Sequence, residues 1–240
     1  MSYFNSERDR LTREFFKIGG QPNVDVKVKS LKDVRQQLVE LSKKQDNEDI
    51  EVIYLIDVID CLLIWILEDD KHKAREKVSY IWDIFNSMHN FTLFDLRILT
   101  AILFSAETLE EFIIITNKAL AELEKFIEHE LYIVTKTHLT NNLSYMLMKA
   151  KYNNDKEYND QLENLLIEST DTLISLSMQF NNSFFPRALI RKGILAKDNV
   201  IIYAGLSLLN TAEAKEKIEI MKSNNIFFIS AKDLLFINCL

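Results

Sequence analysis

The segment TLEEFIIITNKALAELEKFI, residues 108–127, carries the pattern that decides the fold of this chain. Its apolar and small residues recur every three or four positions, which is the spacing of one face of an amphipathic helix. These residues are Leu109, Phe112, Ile113, Thr116, Ala119, Leu120, Leu123, Phe126 and Ile127. Thr108 and Glu111 stand at the capping-box spacing that marks a helix start. The segment therefore predicts one long helix that buries a single face.

The same spacing continues over most of the chain, interrupted by short polar breaks such as Asp69-Asp70. It predicts a leading helix near 6–18 and further helices near 30–44, 49–67, 72–88, 92–104, 130–151, 157–179, 184–196, 198–209, 211–222 and 226–237. Helix 49–67 is apolar on almost every side, so we expect it at the centre of the array. We predict an all-α fold, a right-handed, tetratricopeptide-like helical-repeat solenoid of about ten to eleven helices. An irregular helical bundle is the alternative.

The shortage of turn residues supports an all-helical class. The chain of 240 residues has four Gly and two Pro, where average usage gives about 17 and 12. β-sandwiches, β-barrels and Rossmann folds need more of these turn residues than this chain has. Two of the four glycines and one of the two prolines lie in Gly19-Gly20-Gln21-Pro22-Asn23, which we interpret as a linker. We therefore divide the chain into a leading helix with its Gly/Pro linker, 1–23, and a helical-repeat regulatory domain, 24–240.

Charge and hydropathy restrict the partners. The 29 Lys+Arg and 36 Asp+Glu residues give a net charge of −7, which disfavours a broad nucleic-acid-binding surface. Residues 1–15 have no apolar core for a signal peptide. The most apolar run, Val52 to Leu67, is short for a membrane span and contains Asp57 and Asp60. We expect a cytoplasmic protein that itself binds neither nucleic acid nor membrane.

No catalytic motif is complete in this sequence. It has no pair of histidines four apart, no glycine-rich phosphate loop and no Gly-x-Ser-x-Gly. Cys61 and Cys239 are too few for a disulfide scaffold or thiolate metal site, and Cys61 lies in an apolar run typical of a core cysteine. We predict a non-enzyme with no cofactor and no metal. The alternative is an all-helical Mg²⁺-dependent enzyme. Its ligands would be Asp57, Asp60, Asp69 and Asp70.

Two arginines are the first candidate binding group. Arg187 and Arg191 stand four apart and so project from one face of a helix that also carries Phe184. Such a pair suits the carboxylate of a peptide or an acidic side chain of a partner. The structural alternative is an ion pair with an acidic neighbouring helix.

Two residues of the segment 137–146 form the second candidate group. Asparagine is a poor helix-interior residue, because its side chain competes for backbone hydrogen bonds. Asn142 and Tyr145 share a helix face, and an amide can both donate to and accept from the backbone of an extended peptide. We expect Asn141 to cap or to face water. The predicted peptide-binding residues are Asn142, Tyr145, Arg187 and Arg191.

A family resemblance rests on two stretches of sequence. Phe91-Thr92-Leu93-Phe94-Asp95-Leu96, followed by Ile98-Leu99, Leu103-Phe104, Glu107 and Phe112, resembles the carboxy-terminal domain of the Rgg/GadR/MutR regulators of Gram-positive bacteria. The segment Phe185–Gly193 is similar to that family's aromatic-x-Arg…Lys-Gly segment. The likeness covers roughly Leu31 to Ile237. At Phe91, Phe94 and Asp95 the family often has Trp, Tyr and Glu.

The resemblance implies a two-fold homodimer of tetratricopeptide-like repeats whose concave groove binds a short signalling peptide, coupling quorum sensing to transcription. Those regulators begin with a helix-turn-helix domain that this sequence does not show, so we expect a truncated form or a relative without that domain. The function predicted is a peptide-sensing regulatory and dimerisation domain, with an adaptor for a folded protein as the alternative. The apolar helix 226–237 supplies the candidate dimer seam. Its candidate residues are Phe227, Phe228, Leu235 and Phe236.

Overall fold

The fold is described from a computed structural model of the chain. The structure describes residues 6–19, 23–44, 49–153, 155–156, 158–180, 184–209, 214–215 and 218. Every regular element within these ranges is helical, which confirms the all-α prediction. None of the helices described is both long and apolar enough to cross a membrane.

The chain divides between Thr108 and Leu109 into two compact units. The first unit has α1 (Glu7–Ile18), α2 (Val24–Lys44), α3 (Ile50–Glu68), α4 (Lys71–Lys77), α5 (Ser79–Ser87), α6 (Leu93–Ile102) and a 3₁₀ turn (Leu103–Ser105). The second has α7 (Leu109–Leu123), a 3₁₀ turn (Glu124–Phe126), α8 (Tyr132–Tyr152), α9 (Asp160–Phe180), α10 (Phe184–Ala196) and α11 (Asn199–Leu209). Helix α1 packs against α2 inside the first unit. The domain boundary after residue 23 stays a prediction.

Three helix boundaries differ from those expected. Helix α2 begins at Val24, because the side chain of Asn23 accepts a hydrogen bond from the Val26 backbone N–H at 3.0 Å and caps the helix there. The predicted helix 72–88 is two helices, since Val78 leaves the helical region at φ −118° and ψ 15°. Helix α7 ends at Leu123, and Ile127, expected in its buried stripe, is 62% exposed.

The break at Asp69-Asp70 is confirmed. Asp69 adopts the left-handed conformation with φ 52° and ends α3. Asp70 then begins α4, because its carboxylate accepts a hydrogen bond from the Lys73 backbone N–H at 2.9 Å. Both aspartates therefore have a structural role in a turn between helices.

Helix α3 packs against α2, α4 and α6, as its apolar sequence predicts for a central helix. Its buried residues lie between Val52 and Cys61, and its last apolar residue, Leu67, is 56% exposed. Cys61 is fully buried, and this burial raises the pKa of its thiol to about 12. The thiol therefore stays protonated near neutral pH, in keeping with a core cysteine.

Contacts along the helices of the second unit show their directions. Ser144 meets Thr170 and Lys151 pairs with Glu163, so α8 and α9 run antiparallel. His138 meets Phe184 and Tyr145 meets Arg191, so residue numbers increase in the same direction along α8 and α10. Helix α9 packs against both. Successive antiparallel helices with parallel second neighbours are consistent with a helical-repeat fold.

Glycine allows α10 and α11 to pack closely. A Cβ atom on Gly193 would lie 2.7 Å from the backbone nitrogen of Ile202, and one on Gly205 would lie 2.7 Å from the carbonyl oxygen of Pro186. Neither backbone atom can move without shifting its helix. Two of the four glycines in the chain are therefore used for close helix contact in the second unit.

We expect Gly205→Ala to destabilise the protein by about 1–3 kcal/mol, because the methyl group forces α10 and α11 apart. Chemical denaturation followed by circular dichroism measures the loss. Gly19→Ala is the matched control, since its Cβ would approach only the Phe16 carbonyl oxygen, at 3.7 Å. Equal stability of the two variants would contradict the packing assigned to Gly205.

Candidate functional site

The predicted binding residues lie on two neighbouring parallel helices. The α8–α10 face is defined here by three residues of each helix. These are His138, Asn142 and Tyr145 of α8, and Phe184, Arg187 and Arg191 of α10. Residues three or four apart lie on one side of a helix, so each triplet forms a continuous stripe. The two stripes meet along the contact between α8 and α10.

Two ring contacts join the stripes. The rings of His138 and Phe184 meet edge to face with their centres 4.9 Å apart. The guanidinium carbon of Arg191 lies 5.7 Å from the centre of the Tyr145 ring, within cation–π range. Tyr145 and Arg191 are thus two predicted residues that the structure brings into contact.

The other two predicted residues also lie on this face. The guanidinium carbon of Arg187 is 5.9 Å from the ring centre of Phe184, one turn earlier on α10. Asn142 follows His138 by one turn on α8. Both are half-buried, as is Tyr145. Their role in peptide binding stays a prediction.

Arg191 has a different environment from Arg187. It is only 6% exposed, and its Nη1 donates a hydrogen bond to the backbone carbonyl of Asn141 at 3.2 Å. A buried charge-assisted hydrogen bond of this kind fixes the two helices in register. Arg191 therefore holds α10 against α8, whereas Arg187 lies nearer to the surface.

The expectation that Asn141 caps a helix or faces water is wrong. Asn141 lies in the middle of α8 and is 6% exposed. Its side-chain oxygen is buried and accepts no hydrogen bond from any residue that the structure describes. The helical spacing of Thr137, Asn141, Ser144 and Met148, all buried, is the sequence signal that was missed.

Small polar residues line the contact between α8 and α9. The hydroxyls of Ser144 and Thr170 share a hydrogen bond of 2.9 Å in a fully buried position. The Thr137 hydroxyl donates to the Ile133 carbonyl at 2.7 Å, the usual way for a threonine inside a helix to satisfy its side chain. The Ser177 hydroxyl is buried and has no partner within the described ranges. The interior beside the α8–α10 face is therefore polar.

One ion pair between α10 and the neighbouring helix α9 is formed by Lys192. Lys192 Nζ lies 2.6 Å from an oxygen of Asp171 on α9. Both side chains are at least one third exposed, so the pair adds little stability. Arg191, one position earlier on α10, contacts a backbone carbonyl and an aromatic ring.

The aspartates of the alternative enzyme hypothesis take part in ion pairs and caps. Asp60 accepts two hydrogen bonds from the Arg35 guanidinium. Asp57 pairs with Lys77 at 2.8 Å and accepts a hydrogen bond from the Tyr80 hydroxyl at 2.8 Å. Within the described ranges, no group of three or more His, Cys, Asp or Glu side chains is placed to hold a metal ion.

The candidate dimer residues Phe227, Phe228, Leu235 and Phe236 lie outside the described residues. The seam assigned to them therefore stays a prediction.

Comparisons with protein-family models, with curated proteins and with solved structures find no match for this chain.

We expect Ser144→Ala to cost about 1 kcal/mol or more, because it leaves the buried Thr170 hydroxyl without its partner. Adding Thr170→Val should recover part of this loss, since the orphaned hydroxyl is then removed as well. Urea denaturation of the two single variants and the double variant measures the coupling. Strict additivity would show that the two hydroxyls do not depend on each other.

Proposed function

We propose that the chain is a peptide-sensing regulatory module, and that its α8–α10 face binds a short peptide. One observation carries the proposal. Two adjacent parallel helices place a half-buried guanidinium, an amide and aromatic rings on one face, beside a polar interior. Such a face has the few polar groups that orient a ligand and the apolar area that retains it.

The chemistry of each side chain indicates the ligand. A guanidinium binds a carboxylate through two parallel hydrogen bonds, and Arg187 is the more exposed of the two arginines. The rings of Tyr145 and Phe184 offer apolar surface, and the amide of Asn142 suits a backbone N–H and C=O. The expected ligand is a short apolar peptide in an extended conformation with a free carboxyl terminus.

The directions of the helices support a more specific description of the fold, as a tetratricopeptide-like repeat. In tetratricopeptide-like repeats the first helices of successive repeats are parallel neighbours and line one side of the array. Helices α8 and α10 have this relation, with the antiparallel α9 packed against both. We accordingly propose a right-handed helical-repeat arrangement in which α8 and α10 line the peptide groove.

The regulatory part of the proposal comes from the resemblance to Rgg/GadR/MutR regulators. A peptide that binds two arrangements of a homodimer with different affinity shifts the balance between them. Contact with DNA would then be made by a part other than this peptide-binding module. In this scheme the protein is a sensor: peptide binding changes the arrangement of the dimer, and the protein catalyses no reaction.

Isothermal titration calorimetry with short apolar peptides tests the binding function. We expect Arg187→Gln to weaken binding roughly 10- to 100-fold, because a charge-assisted hydrogen bond to the peptide carboxylate is lost. Amidating the peptide's carboxyl terminus should weaken binding to the wild type similarly and have little further effect on the variant.

Lys192→Gln is the control, since Lys192 is on the same helix and pairs with Asp171. It should bind peptide like the wild type. Equal affinity of Arg187→Gln and wild type would remove Arg187 from the site. A wild-type protein that binds no peptide but captures a folded acidic protein would favour the adaptor alternative, and a thermal shift caused by Mg²⁺ would favour the enzyme.

The homodimer is tested by light scattering after size-exclusion chromatography. The predicted helix 226–237 has nine apolar residues in twelve, more than a helix exposed to water normally carries. We expect the double substitution Phe228→Ser and Phe236→Ser to convert a dimer into a monomer, because it removes two large apolar side chains from the seam. A wild-type monomer would contradict this part of the proposal.

A further inference from the structure

Arg97 of α6 is a half-buried cation without an acidic partner. Its guanidinium forms no hydrogen bond and no ion pair with any residue that the structure describes. Burial with no carboxylate beside it lowers the pKa of the Arg97 guanidinium to about 10, so the group still carries its charge near neutral pH. Taking a charge partly out of water is costly unless an opposite charge or hydrogen bonds replace the water. A methionine at this position would avoid that cost.

One face of the Arg97 guanidinium is covered by an aromatic ring. Its central carbon lies 3.7 Å from the centre of the Phe16 ring on α1, a close cation–π contact between two helices of the same unit. This separation is typical of two stacked planes. A guanidinium carries its N–H donors in its own plane. The contact with Phe16 therefore leaves the donors at the edge of the group able to bind a ligand.

The acids nearest to Arg97 and Phe16 in sequence are occupied elsewhere. Asp95, the one acid of α6, lies about 200° around the helix from Arg97. Its carboxylate accepts hydrogen bonds from the Thr92 backbone N–H and hydroxyl, at 2.8 and 2.6 Å. On α1, Glu14 pairs with Arg10 at 3.0 Å. Arg97 therefore has donors to offer, and the described part of its unit supplies no carboxylate for them.

We infer that Arg97 is the centre of a binding site for a carboxylate that carries an apolar group. The carboxylate would accept two parallel hydrogen bonds from the edge of the guanidinium, the geometry in which arginine binds this group best. The side chain of Arg97 keeps part of its surface exposed, and its nitrogens are not among the enclosed polar atoms that lack a partner. A ligand can therefore reach the guanidinium.

The charge and the surroundings of Arg97 define the ligand further. One guanidinium neutralises one negative charge, so a monocarboxylate leaves no surplus charge in a half-buried site, whereas a doubly charged phosphate does. Phe94 and Ala101 lie one turn before and after Arg97 on the same side of α6, and both are half-buried, as is Phe16. These side chains offer apolar surface beside the cation.

Two sources supply this chemistry: a free aliphatic carboxylate and the carboxyl terminus of an apolar peptide. The site is independent of the proposed function, since α1 and α6 lie in the first unit and the α8–α10 face lies in the second.

Isothermal titration calorimetry with octanoate, octanol, N-acetylleucine and inorganic phosphate tests the site on the full chain. The wild type should bind octanoate or N-acetylleucine about 10-fold or more tightly than octanol and phosphate, because only these two combine one carboxylate with an apolar group. The tighter of the two carboxylates identifies the source of the ligand.

Arg97→Gln should bind octanoate and N-acetylleucine about 10-fold or more weakly than the wild type and lose the preference for octanoate over octanol. A residue that only packs on Phe16 would not affect this preference. Arg97→Lys keeps the charge and loses the paired N–H groups, so it should bind octanoate less tightly than the wild type. It serves as the test if Arg97→Gln does not fold. Arg10→Gln is the control, since Arg10 is exposed on α1 and pairs with Glu14. It should bind both carboxylates like the wild type.

Each contrary result has a distinct meaning. Equal binding of both carboxylates by the wild type and Arg97→Gln overturns the inference, and Arg97 then serves only to cover Phe16. A wild type that binds neither carboxylate, or binds phosphate more tightly, also overturns it. Binding that is lost in Arg187→Gln and kept in Arg97→Gln overturns the inference and supports the proposed function. Binding lost in Arg97→Gln and kept in Arg187→Gln supports the inference, whatever the α8–α10 face binds.

Discussion

The second unit depends on how α8 satisfies its polar groups, because this helix is buried on most of its circumference. A helix in that position normally presents hydrocarbon to its neighbours. Helix α8 buries hydroxyl and amide groups among its apolar side chains, and a buried polar group is costly unless it forms a hydrogen bond within the protein. The Ser144 hydroxyl forms a hydrogen bond with α9, and the Thr137 hydroxyl forms one within α8. The backbone carbonyl of Asn141 accepts a hydrogen bond from α10. The bonds of Ser144 and of the Asn141 carbonyl fix the register of three helices, which apolar contacts alone would leave freer to slide.

In the first unit, ion pairs join the central helix α3 to its neighbours. Asp57 and Asp60, one turn apart on α3, bind Arg35 of α2 and Lys77 of α4. Their carboxylates are less than one fifth exposed, so the cations reduce the cost of burying them. The Tyr80 hydroxyl donates to Asp57, and burial with this hydrogen bond raises the pKa of Tyr80 above its ordinary value. The same aspartates that suggested metal ligands thus tie α3 to its neighbours.

Sequence periodicity predicted the helices well, because spacing of apolar residues depends on local geometry. It placed the break at Asp69-Asp70, and it put Asn142 with Tyr145 on one helix face and Arg187 with Arg191 on another. That these two faces meet between α8 and α10 could be learned only from the structure. Periodicity did not predict features that depend on how neighbouring helices pack, such as the burial of a particular side chain. Adjacent asparagines differ by about 100° around a helix, so only the positions of α9 and α10 decide that Asn141 is buried and Asn142 is half-buried. Val78 has no breaker residue beside it, and the division between α4 and α5 could not be predicted.

The two arginines of α10 stand one turn apart and differ in their burial and contacts. A guanidinium in the interior must have its donors occupied, and Arg191 gives one of them to the Asn141 carbonyl and lies near the Tyr145 ring. A guanidinium closer to water loses less solvation when it exchanges water for a carboxylate, and Arg187 is placed in this way. The buried arginine therefore holds the two helices together, and under the proposed function the outer one contacts the ligand. Both arginines project from one stripe, so a shift of α10 that moves Arg187 also strains the hydrogen bond of Arg191. Under the proposed function, this relation couples ligand contact to helix position.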